Sequence, residues 1–130
     1  RAQYPEVAGR VEITRSVADV GLTIEIAVPC ALILNELVDN SLRYGFPGGR
    51  RGRVDIIFRL YGQYCVLEVL DNGIGFDANA ADARKGFGLE LVSILTGQIR
   101  GSAVYNGAVG SCCTVAFRLR PESGQAAIPT

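Results

Sequence analysis

Leu32, Ile33, Leu37, Val38 and Leu42 recur at the spacing of a helix. Residues three and four apart share one helical face, so this stretch carries an apolar side that must be covered. The pattern stops at Gly45, Pro47, Gly48 and Gly49, which end helices, and Pro29 suits a first turn, where its missing N–H costs nothing. The flanking sequence supplies the covering layer. Val11 to Val17 alternates apolar and polar residues, and Leu22, Ile24 and Ile26 read as a short second strand leading into the helix. Val54, Ile56, Phe58 and Leu60 alternate up to a turn at Gly62. Cys65, Leu67 and Val69 then run on to Asp71, completing a hairpin. A second helix begins near Gly88 with Leu89, Leu91, Val92 and Leu95 on one side. Ser102 to Asn106 and Ser111 to Leu119 form two last strands joined by a glycine turn, Gly107 to Gly110. This order predicts an α/β fold, a two-layer sandwich of a mixed β-sheet with helices on one face. Residues 1–121 are expected to form the domain and residues 122–130 a disordered tail. Phe76 to Lys85, small and polar, reads as a mobile loop.

With 130 residues, the chain has the length of one domain that can bury a real core. Thirteen basic residues offset thirteen acidic ones, so no broad basic field exists to draw nucleic acid, which is excluded as the main partner. The longest uncharged apolar run, Ile26 to Leu34, contains Pro29 and falls well short of the about twenty residues of a membrane span. The chain lacks methionine and a signal peptide and starts at Arg1. It is expected to be an excised cytoplasmic piece of a longer protein, without membrane contact of its own. Histidine is absent, which removes the usual zinc sets and every Ser-His or Cys-His nucleophile arrangement. Cys30, Cys65, Cys112 and Cys113 contain no C-x-x-C pair. Strand neighbours such as Cys112 and Cys113 point to opposite faces, so these cysteines read as reduced apolar fillers.

Three clusters carry chemistry. On the long helix, Glu36, Asn40, Arg43 and Tyr44 are spaced to fall near one face. A carboxylate and an amide oxygen are hard ligands for Mg²⁺, a guanidinium suits phosphate, and a ring can lie on a base. At the end of a strand, Asp71-Asn72-Gly73-Ile74-Gly75 places a carboxylate where it can accept from an amino group such as adenine's, with glycines that let backbone approach a flat ligand. Lys85-Gly86-Phe87-Gly88-Leu89 opens a helix, whose free N–H groups and flanking glycines suit phosphate. Alone, each has a plain structural counterpart: a solvated helix face, a D-N-G turn, a glycine-capped helix. In this order, each on the element its chemistry needs, they point to a nucleotide site. The G-x-x-x-x-G-K-[ST] and G-x-G-x-x-G patterns are both absent, so another nucleotide fold is implied.

The clusters resemble the N, G1 and G2 boxes of the GHKL ATPase superfamily of gyrase, Hsp90, histidine kinases and mismatch-repair ATPases, whose ATP-binding domain is the Bergerat fold. ILNELVDNSLRYGFPGGRRG, DNGIGF and GFGLELVSILTGQIRGS are most similar to the catalytic domain of a bacterial sensor histidine kinase, of the variant type without an F box; the similarity spans Val11 to Pro121. The W-x-E subgroup is disfavoured because the chain has no tryptophan. The resemblance implies ATP and Mg²⁺ as cofactors. By it, Asn40 holds Mg²⁺ against the phosphates, and Glu36, the acidic N-box position, is a second metal or catalytic group that orients the attacking atom. Arg43 meets phosphate and Tyr44 packs near adenine. Asp71 binds the adenine amino group, Gly73 and Gly75 shape that wall, and Lys85, Gly86, Gly88 and Leu89 form the phosphate loop and the helix after it. Ser111 stands where the family has a supporting hydroxyl for Asp71, a role open to Thr114 as well.

Family kinases phosphorylate a histidine on a preceding dimerisation domain. This chain has none, so it is expected to be the ATP-holding part, with its own upstream histidine-containing domain as one partner and a response regulator as another. Two rivals stand beside this reading. One is an anti-sigma-factor-type serine kinase, which shares the E-x-x-x-N spacing; the other is a degenerate docking module.

Overall fold

The computed structural model describes residues 9–74, 86–107 and 110–119. Five strands form one sheet: β1 (Val11–Val17), β2 (Gly52–Tyr61), β3 (Tyr64–Asp71), β4 (Ser102–Asn106) and β5 (Ser111–Arg118). Their spatial order is β1-β2-β3-β5-β4. β1 runs parallel to β2 and the other pairs are antiparallel, which makes the sheet mixed. Two helices, α1 (Ile24–Tyr44) and α2 (Gly86–Gln98), pack on each other and on one face of the sheet. The expected two-layer α/β sandwich is the observed architecture.

Alternation in the strands decides which side chains meet the helices. Val54, Ile56 and Phe58 of β2, Cys65, Leu67 and Val69 of β3, and Cys113, Val115 and Phe117 of β5 are all buried on the helix side. They face Ile26, Ile33, Leu37, Val38 and Leu42 of α1 and Val92 and Leu95 of α2. Phe58 and Phe117 stack across the sheet with ring centroids 6.4 Å apart, within the range of favourable aromatic pairs. No helix among the described residues is long and apolar enough to cross a membrane.

Two expectations need correction at the start of α1. Leu22, Ile24 and Ile26 do not form a strand: residues 18–23 belong to no element, and the helix already begins at Ile24. Thr23 is its N-cap, and its carbonyl accepts from the N–H groups of Ile26 and Ala27. Three alternating apolar residues are too few to tell a strand from the first turn of a helix. The buried positions Ile26, Pro29, Ile33 and Leu37, three or four apart, settle it as helix. Pro29 therefore sits inside α1 rather than in its first turn, so the Glu25 carbonyl goes without the amide bond that another residue at 29 would donate.

The same phase turns Leu32 outward. Ile24, Val28 and Leu32 lie on the outer face at 75, 53 and 46% exposure, while Ile33 is fully buried. Elsewhere the reading holds within a residue or two: the hairpin turns at Gly62, and α2 starts at Gly86 rather than near Gly88. Within the Gly107–Gly110 connection, Ala108 and Val109 lie outside the described residues, as do the loop from Phe76 to Lys85 and the tail from 122 to 130.

The two sides of α1 should separate in unfolding experiments. We expect Ile33→Ala to cost about 2–5 kcal/mol, the range for deleting a buried branched side chain. Leu32→Ala should cost less than about 1 kcal/mol, as surface substitutions do. Equal losses in urea unfolding would contradict the phase of α1 described here.

Candidate functional site

Asp71 ends β3 on the helix side of the sheet and is 8% exposed. A buried carboxylate is costly unless its oxygens are hydrogen-bonded, and this one is held from three directions. The Gly73 N–H donates to Oδ1 at 2.9 Å. The hydroxyls of Ser41 on α1 and Ser111 on β5 both donate to Oδ2, at 2.7 and 2.6 Å. A carboxylate offers about four acceptor positions, so roughly one remains for a ligand.

Glycines allow this arrangement. Gly45 caps α1 through its N–H to the Ser41 carbonyl, and its own carbonyl accepts from the Ile74 N–H at 2.9 Å. The two backbones touch so closely that a Cβ on Gly73 would stand 2.2 Å from the Gly45 carbonyl oxygen. Any side chain at 73 would push the end of β3 away from α1, and Asp71 away from Ser41.

A cleft opens above this carboxylate, with about 460 Å³ of empty space counting its mouth. Leu37, Asn40, Ser41 and Tyr44 of α1 form one wall and Leu89 of α2 the other. Val69, Asp71, Tyr105, Ser111, Cys112 and Cys113 form the floor. Tyr105 and Cys113 are directly opposed on β4 and β5. Burial pushes the Cys113 thiol up to about 12; the facing Tyr105 hydroxyl pulls the other way, and the neighbouring Cys112 adds to the rise. The Tyr105 hydroxyl is raised too, first by burial and then by Cys113. Near neutral pH both groups keep their protons, so this end of the floor is uncharged.

Of the residues singled out in the sequence, Asn40, Tyr44, Asp71, Leu89 and Ser111 line this one cleft, and Gly73 holds Asp71 in place. Gly86 and Gly88 lie at the start of α2, whose Leu89 is in the wall. Glu36 is half-buried one turn before Asn40 and lies outside the lining. Arg43 also lies outside it: its side chain is 59% exposed and Nε donates to Asp39 at 2.9 Å along the helix. Gly75 and Lys85 fall outside the described residues. Of the two hydroxyls weighed for Asp71, only that of Ser111 reaches it; Thr114 donates to Glu68 at 3.1 Å on the other face of the sheet. Sequence reasoning missed Ser41, Tyr105 and Cys113. Ser41 had a signal: a lone hydroxyl on the apolar face, four residues after Leu37 and next to Leu42.

Residues 25–123 match the family model described as "Histidine kinase-, DNA gyrase B-, and HSP90-like ATPase". No curated protein matches the chain by sequence. Among solved structures, the chain is similar to the histidine kinase domain of a blue-light activated histidine kinase from Erythrobacter litoralis, with a TM-score of 0.82 and 18% identity over 98% of this chain and 60% of that one. The Acinetobacter baumannii histidine kinase AdeS follows at a TM-score of 0.73 and 19% identity, over 92% of this chain and 60% of that one. The mycobacterial sensor histidine kinase MprB gives 0.68 and 17%, over 93% and 87%. The chain thus spans about 60% of the length of the first and second of these. At such identities the likeness establishes the shared fold.

The buried thiol carries a pH consequence. Its folded value of about 12 lies above its ordinary 9.0, so folding favours the protonated form. The stability this contributes is complete below pH 9 and is lost as pH rises from about 9 towards 12. Cys30, raised to about 11 by burial and by nearby Cys65, acts in the same sense. We expect the urea midpoint to hold from pH 7 to 8 and to fall by about pH 10.5, with a smaller fall in Cys113→Ala. An identical fall in that variant would remove Cys113 as a cause.

Proposed function

The chain belongs to the family of histidine kinase-, DNA gyrase B- and HSP90-like ATPases, and on that premise we propose that it is the Mg·ATP-binding catalytic domain of a two-component sensor histidine kinase. In this reading it presents the γ-phosphoryl group to a histidine on a separate dimerisation domain, and serves a response regulator through the full-length, cytoplasmic catalytic portion of that kinase. The observation that carries it is Asp71: a carboxylate fixed by three donors at the base of an open cleft, with one acceptor position left for the amino group of a purine.

The remaining roles follow from position. Tyr44 and Leu89 stand on opposite walls and would flank the base. The start of α2 at Gly86 offers backbone N–H groups to phosphate, as helix N-termini do. Asn40 would be the protein ligand to Mg²⁺, and that donor set fits the ion. Mg²⁺ keeps several waters and takes one or two protein oxygens together with phosphates, so it needs no dense cluster of acidic side chains. Among the described residues no group of three or more His, Cys, Asp or Glu side chains is arranged to hold a metal ion. When bound, the ion would neutralise phosphate charge, which is most of what phosphoryl transfer asks of a protein beyond positioning. Glu36, outside the lining and one turn before Asn40, would orient a group delivered from outside the cleft. Arg43 would have to leave Asp39 to reach phosphate. Because the sequence has no histidine, the acceptor belongs to another domain or chain.

Calorimetric titration of ADP, with and without Mg²⁺, tests this directly. We expect Asp71→Asn to weaken ADP binding about ten- to a hundredfold, the worth of a hydrogen bond to a charged group. An unchanged dissociation constant would overturn the base assignment. Asn40→Ala should bind ADP equally with and without the ion, whereas the parent chain binds more tightly with it. If the variant keeps the Mg²⁺ effect, another residue holds the metal.

A further inference from the structure

The turn after α1 and the starts of β1 and β2 gather arginines at one corner of the sheet. Pro47–Gly49 form a short 3₁₀ turn in which Gly48 and Gly49 take φ of 65° and 79°. The chain then enters β2 through Arg50, Arg51 and Arg53. Arg10, just ahead of β1, is brought beside them by the sheet, its carbonyl accepting from the Gly52 N–H at 3.1 Å. Its Nη1 donates to the Arg50 carbonyl at 2.6 Å and to the Phe46 carbonyl at 3.3 Å. Arg50 lies in turn against the chain that follows Asp71, with Nη2 3.4 Å from the Asn72 carbonyl. A carbonyl orients a guanidinium without cancelling its charge. Arg53 is offset by Asp55 at 3.0 Å, whereas among the described residues no carboxylate forms an ion pair with Arg50 or Arg51, both exposed. In a chain whose charges sum to zero, this corner holds a local positive excess. None of its arginines lines the cleft, so the nucleotide reading does not account for them.

We propose that the corner of Arg10, Arg50 and Arg51 is an anion-recognition site that docks an acidic segment of a partner protein. A guanidinium takes a carboxylate through two parallel N–H donors, and one already oriented by carbonyls loses little freedom in doing so. The surroundings favour carboxylates over a nucleic-acid backbone. Glu12 is the partner of Arg53 in the β1–β2 register, and Asp55 follows two residues on, so acids border the arginines on the outer face of the sheet. A long run of phosphates crossing the corner would pass over those acids, whereas a short run of carboxylates meets only the arginines. The site is independent of whether the cleft holds a nucleotide.

The test is fluorescence anisotropy of a labelled hexaglutamate peptide titrated with the full chain, at about 50 mM salt, where surface charges are weakly screened. Saturable binding is expected, and Arg50→Gln combined with Arg51→Gln should weaken it about tenfold. The control removes the same charge elsewhere. Arg59 and Ser102, which follows Arg100 by two residues, share a row across the sheet about 20 Å along the strands from Arg53. Arg59→Gln combined with Arg100→Gln should therefore change binding by less than about twofold, since that distance exceeds the reach of a screened charge. Arg51→Glu, at an exposed side chain, is expected to weaken binding as well, and it decides the matter if the double variant at the corner does not fold. No saturable binding by the parent chain, or equal losses in the two double variants, overturns the proposal. Tighter binding of a labelled thymidine decanucleotide through the same arginines overturns the assignment of an acidic protein as partner.

Discussion

A carboxylate taken out of water must be given partners, and that demand organises this domain. Asp71 draws one donor from α1, one from β5 and one from its own chain two residues on. Helix and sheet are therefore registered to each other by a polar contact at one end of the sandwich, while the apolar layer between them sets only their separation. A hydrophobic interface tolerates small sliding, but three hydrogen bonds to two oxygens do not. The backbone contact between Gly45 and Gly73 is the steric half of the same device, since it brings Ser41 within reach of Asp71.

Much of this could be read from the chain. Strand parity placed Asp71 with Cys65, Leu67 and Val69, so its inward direction followed from a period of two. The spacing of four between Asn40 and Tyr44 placed both on one face of α1, and both line the cleft. The departures arose where local patterns are degenerate. Leu22, Ile24 and Ile26 satisfy both a strand and a helical start, and only the burial of Ile26 and Pro29 against the sheet decides between them. Ser41 escaped notice because hydroxyls are common on helices, and its partner lies 30 residues away. Arg43 has the residue type for phosphate, yet its neighbour one turn back, Asp39, engages it. Spacing along a helix specifies a face; it does not specify which partner a long side chain selects.

The floor of the cleft divides into two chemistries over a short distance. Where β3 ends against α1 lie a carboxylate and two hydroxyls; towards the edge strand lie a thiol and a phenol that stays protonated, and valine and leucine side chains line the rest. A ligand that suits such a lining is largely apolar and polar at one edge, as a nucleobase is. The observed fold is shared with histidine kinase domains.

The strand order has a further meaning for how the site comes into being. β5 is the last element described, yet it lies inside the sheet between β3 and β4. As the chain leaves the ribosome, β1, α1, β2, β3 and α2 all emerge before it. Until β5 inserts, β4 has no strand to pair with and Asp71 lacks the donor that comes from 40 residues downstream. Closing contacts of such long sequence separation is the slow part of folding. A chain cut short before Ser111 would lose the strand that joins β4 to β3, the buried Cys113, Val115 and Phe117 of the core, and one of the donors around Asp71 together.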